Sequence, residues 1–113
     1  MKIIQQKLSI EELTSLAASG FGEMVKGVVD IDRELLALDA ELHSDLEGLL
    51  LQEGSKQTHL WGINLYPQAV GEDFLEFDSA INIRPSSGNR SRGVDNKELR
   101  IKISEVVAKW ISR

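Results

Sequence analysis

Near the C-terminus, Leu99, Ile103, Val106, Val107, Trp110 and Ile111 recur at three- and four-residue spacing, so a helix over this segment carries one apolar stripe and a charged opposite side. Such a helix is marginal alone in water and needs an apolar surface to lie on. The chain offers that surface in another period. From Val25 to Asp32, Val25, Gly27, Val29 and Ile31 alternate with Lys26, Val28, Asp30 and Asp32, the pattern of a β-branched strand. A helix packed on a sheet is therefore the minimal unit. Asp95 is the expected N-cap of the last helix, with Glu98 three residues on, and Glu98–Lys102 and Glu105–Lys109 stand as i,i+4 pairs.

The remaining segments extend this unit into an α+β fold. Lys2–Gln6 reads as a short first strand. Ser9 and Glu12 then form a capping box for a helix whose apolar side is Ile10, Leu13, Leu16 and Ala17 and whose stop is Gly20. Glu34–Leu42 is rich in helix formers yet places Leu36, Leu38, Ala40 and Leu42 at period two, and the strand reading is preferred, with the turn at Asp30–Arg33. A short helix over Asp45–Gln52 follows, capped by Ser44 and closed by Gly54. Leu60–Tyr66 and Phe74–Arg84 read as neighbouring antiparallel strands. The sum is an antiparallel sheet of about five strands with an N-terminal helix, a short middle helix and a C-terminal amphipathic helix, the helices on one face.

Length and composition bound what such a fold can be. With 113 residues and 42% hydrophobic content, one core and one domain over 1–113 are expected. No cysteine is present, which removes disulfides and thiolate chemistry and fits a reducing, cytoplasmic setting. No apolar run reaches the roughly 18 residues of a membrane span, so no membrane association is expected.

The segments EMVKGVVDID, ELHSDLEGLLLQEGSKQTHLWGINLYP and FDSAINIRPSSGNRSRGV resemble a small family of bacterial and archaeal proteins catalogued only as a domain of unknown function. The likeness covers nearly the whole chain and implies no activity, substrate or cofactor. One departure stands out: Asp39-Ala40 replaces an expected pair of glycines, which argues against a glycine kink at that point.

Charge points to one stretch. Residues 1–83 hold 5 Lys and Arg against 15 Asp and Glu, net −10, whereas residues 84–113 hold 8 against 3, net +5. RPSSGNRSRGVD, Arg84–Asp95, places three arginines among turn formers, between a strand end and a helix start. Arg84, Ser87, Gly88, Asn89, Arg90, Ser91 and Arg92 thus form a candidate site for a small phosphate- or carboxylate-bearing ligand. The stretch lacks the spacing of nucleotide phosphate loops and of dinucleotide fingerprints. The bland reading is that the arginines pair with the acidic body. No cofactor is implied.

Two other readings compete. Glu41, His43 and Asp45 alternate like metal ligands, yet no known ligand spacing is present and the helix start breaks the alternation, so no metal site is assigned. A small hydrolase or nuclease is drawn from His43, Glu76 and Asp78 in one of two ways: His43 and His59 as acid and base with Arg90 or Arg92 stabilising the transition state, or instead Glu76 and Asp78 as metal ligands. An interaction module, including a homodimer, rests on Ile101, which lies off the apolar stripe. The aromatics Trp61, Tyr66, Phe74, Phe77 and Trp110 fall on core positions, and the acidic body repels polyanions, so nucleic acid is disfavoured as a partner.

Overall fold

A computed structural model describes residues 1–113. Its elements run β1 (Lys2–Ile3), β2 (Leu8–Ser9), α1 (Ile10–Ser19), β3 (Val25–Asp30), β4 (Leu35–Leu38), α2 (His43–Gln52), β5 (Leu60–Leu65), β6 (Leu75–Glu76), α3 (Lys97–Trp110) and β7 (Ile111–Ser112). Five strands form an antiparallel sheet in the order β1-β4-β3-β5-β6, while β2 and β7 make a separate parallel pair. The architecture is α+β, with helices where the sequence places them.

The helices do not share one face, as the sequence suggested. Leu13 and Ala17 of α1 and Ile103, Val106 and Val107 of α3 join Val25, Val29, Trp61, Ile63 and Leu65 in the larger core. Leu46 and Leu50 of α2 close a smaller core with Val28, Ala37 and Leu60 on the other side of the sheet. Each fully buried Leu or Ile is worth about 1.5–3 kcal/mol of burial, so both faces contribute to stability. The clean alternation read over β3 hid this, because Val28 faces α2 while Val25 and Val29 face α1 and α3.

Local rules hold at some element ends and fail at others. The capping box of α1 is present: Glu12 N donates to Ser9 Oγ at 3.1 Å and Ser9 N to Glu12 Oε1 at 3.2 Å. By contrast α2 begins at His43 after Leu42, without a side-chain cap, so Ser44 lies inside the helix. Asn96, not Asp95, caps α3, its side chain accepting from Leu99 N at 3.0 Å. The β3–β4 turn runs one residue beyond the expected Asp30–Arg33, with Glu34 at φ 56. Asp30 Oδ1 accepts from Asp32 N and Arg33 N, which makes a buried aspartate the organiser of that turn.

Three longer-range expectations change as well. Lys2–Gln6 is a strand only over Lys2–Ile3, and Phe74–Arg84 only over Leu75–Glu76. Lys102 and Lys109 do not pair within their helix; both reach Glu34, at 3.1 and 3.2 Å. At Asp39 the chain takes φ 75, the left-handed turn for which glycine is suited, so the kink persists with aspartate in its place.

Candidate functional site

The loop arginines do not converge. Arg84 lies over the Trp61 ring, 4.3 Å from its centroid, and donates through Nη1 to the Gln57 carbonyl at 2.7 Å, through Nε to Ile81 and through Nη2 to Leu60. Desolvation by burial lowers its pKa. Arg92 Nε is paired with Asp78 Oδ1 at 2.7 Å, and only the Arg90 guanidinium has no protein partner. Asn89 is buried, donating to the carbonyls of Asn82, Ser91 and Gly93 and accepting from Asp95 N. Gly88 supplies the left-handed turn at φ 81, and Ser87 is exposed beside it.

An anion already sits among the loop amides: the Asp95 carboxylate accepts from Ser91 Oγ at 2.6 Å and Arg90 N at 3.3 Å. The Ser91 hydroxyl, first among the causes, holds Asp95 below the usual carboxylate range. The cavities of about 260–520 Å³ in the structure have no lining from residues 84–93.

The stretch is built to finish the sheet. Beyond Glu76 the chain leaves β6 and folds over β5, where a bare strand edge would leave amides and carbonyls unpaired. Asn82 replaces a strand there, accepting from Gly62 N at 2.8 Å and donating to Gly62 O at 3.0 Å, while Arg84 takes the Leu60 carbonyl. Gly62 permits the approach: a Cβ on it would lie 2.5 Å from Ser79 Cβ.

Of the residues in the hydrolase reading, His43, Glu76 and the Asp78 carbonyl lie around Asn64, while the Asp78 carboxylate is turned to Arg92. Lys26 of β3, Asn64 of β5 and Glu76 of β6 are successive register partners, forming a polar row across the α2 side of the sheet. Asn64 Nδ2 donates to Glu76 Oε1 at 2.8 Å and to the Asp78 carbonyl at 3.2 Å, and Tyr66 OH donates to Glu76 Oε1 at 3.1 Å. Burial, then the Glu76 carboxylate, raises the Tyr66 pKa. The Asp78–Arg92 pair closes one end of the row.

His43, the first residue of α2, lies over this row with 7% of its surface exposed. Its Nε2 is 2.8 Å from the Ile63 carbonyl, which can only accept, so Nε2 carries the hydrogen and Nδ1 keeps a lone pair without a protein partner. Burial lowers the His43 pKa, and Lys26 pushes the same way against the Ile63 carbonyl, Asn64 and Asp78. Asn64 is 5% exposed and its Oδ1 is a buried acceptor without a hydrogen bond.

Lys26, Asn64 and Tyr66 were missed as site residues in the sequence. Their signal was strand parity, since Asn64 and Tyr66 share a face with Leu60, but parity cannot say which face meets a histidine. His59 is elsewhere, 3.9 Å from Asp32. Glu41, His43 and Asp45 do not act together, because the helix begins between them, and no group of three such side chains gathers for a metal ion. Ile101 is 53% exposed on α3.

The chain is thus a small α+β protein with a cluster of polar side chains around His43 on the α2 side of its sheet. The chain belongs to the family described as "Protein of unknown function (DUF5674)", whose model matches residues 2–110. No curated protein and no solved structure matches it.

Proposed function

We propose that the row from Lys26 to Glu76 is an acid–base site acting on a small substrate, with hydrolysis of an ester or phosphoester bond as the reaction class. His43 carries the reading: a buried neutral imidazole fixed through Nε2, with a free Nδ1 lone pair, matches the demand on a general base near neutral pH. Nδ1 takes a proton from water as the water oxygen attacks the carbonyl or phosphorus centre. The imidazolium then returns that proton to the departing oxygen. The Lys26 ammonium, at the end of the row, favours a negatively charged substrate. Asn64 Oδ1, unpartnered while the ring is neutral, supports the charged ring. Glu76 and Tyr66 fix the Asn64 amide.

An anion held by Arg84–Gly93 has less to support it, since Arg84 and Arg92 are engaged and Asp95 occupies the amide of Arg90. The test is turnover of p-nitrophenyl esters and bis-p-nitrophenyl phosphate by the wild type and by His43→Gln. A loss of about 100-fold or more in the variant is expected. Wild-type turnover no faster than buffer, or a variant as active as the wild type, would refute the assignment.

A further inference from the structure

A cavity of about 520 Å³ opens between the end of α1 and the connection from β4 to α2, its lining reaching Leu42, the residue before His43. Its volume suits a small molecule rather than a macromolecule. Leu16, Phe21, Met24, Val25 and Leu42 make its apolar wall. Phe21 and Leu42 are 51% and 55% exposed, an unfavourable placement for large apolar side chains that an apolar occupant would relieve.

Three charged residues share the wall. Asp39 faces the Met1 ammonium at 3.7 Å, and Glu41 is solvent-exposed. Lys26 is partly buried, has no carboxylate within ion-pair distance, and leans over Phe21 with Nζ 5.3 Å from the ring centroid. A partly desolvated ammonium without a partner favours an anion, while Glu41 on the same wall penalises a doubly charged one. Lys26 also belongs to the polar row, so cavity and row share a wall.

We infer that this cavity holds the apolar body of the substrate and that the substrate is a small amphipathic monoanion, its carboxylate held by Lys26 and its hydrocarbon part against Leu16, Phe21, Met24 and Leu42. The inference rests on the acid–base reading for what happens to the ligand, but not for its binding.

Binding is read without turnover, from methyl resonances of the ¹³C-labelled protein titrated with hexanoate, hexanol and hexyl phosphate. Hexanoate should shift the Met24 and Leu42 methyls saturably and bind about tenfold or more tightly than hexanol. Lys26→Met should erase that preference. Equal affinity of acid and alcohol for the wild type, tighter binding of hexyl phosphate, or shifts scattered away from the cavity would each overturn it. Hexanoate bound at the cavity of an enzyme whose turnover is indifferent to His43→Gln would support the pocket while defeating the catalytic assignment alone.

Discussion

Arg84, Asn82 and Gly62 show how side chains can stand in for a strand. Arg84 ties its own loop to the Gln57–Leu60 stretch through the carbonyls of Gln57 and Leu60, and Asn82 completes both polar groups of Gly62. A lysine at position 84 has one point donor and no planar fork, so Arg84→Lys should lower stability by about 2 kcal/mol in urea unfolding. Arg90→Ala, which removes no protein contact, should stay within about 0.5 kcal/mol of the wild type. Gly62→Ala should cost about 1–3 kcal/mol or more, because its Cβ meets Ser79 where the backbone cannot retreat. A tolerant Gly62→Ala would show that the crossing segment is loosely held. The basic cluster was visible in the sequence, but two of the Arg84 carbonyl partners come from the distant positions 57 and 60, and no local rule brings those to it.

Among the elements, caps and turns obey short-range chemistry and strand lengths do not. The Ser9–Glu12 box was readable because both partners lie within one helical turn. At α3, two candidate caps adjoin: Asp95 is drawn away by Ser91 and Arg90, leaving Asn96 to accept from Leu99 N. Asn96→Ala should therefore cost about 1 kcal/mol, measured by thermal or urea unfolding. A larger loss at Asp95 than at Asn96 would trace to the loop and not to the helix. Phe74–Arg84 had strand composition, yet pairing stops after Glu76 because Ser79, Ile81 and Asn82 pack over β5 instead. At Asp39, Asp39→Gly should raise stability by about 0.5 kcal/mol by relieving the left-handed backbone, read from the urea midpoint.

For the whole molecule, the acidic body and basic end meet in part. Arg92–Asp78, Lys102–Glu34 and Lys109–Glu34 join them, and Trp110 Nε1 donates to the Glu34 carbonyl, so one residue of the β3–β4 turn anchors the last helix. The folded state also resists protonating His43, whose pKa lies below its ordinary value because of burial. An unfolded histidine takes up its proton near pH 6.5. The unfolded chain thus binds more protons just below that pH, and this contribution to stability, full above about 6.5, should fall as the pH drops from there through the folded pKa. Urea unfolding of wild type and His43→Gln across pH 5 to 8 checks this: the wild type should lose stability more steeply with acidification.

Periodicity and capping are properties of neighbours along the chain, so the sequence alone established three helices, their apolar sides and the antiparallel core strands. Leu13 with Ala17, and Ile103 with Val106 and Val107, were legible because helical spacing fixes which side of a segment is buried. Only the tertiary structure decided that α2 crosses to the opposite face, that the arginine loop seals a strand edge, and that Lys26, His43, Asn64 and Glu76 lie side by side. Those outcomes depend on which surfaces meet, and burial and pairing between distant segments are settled by competition among all of them at once.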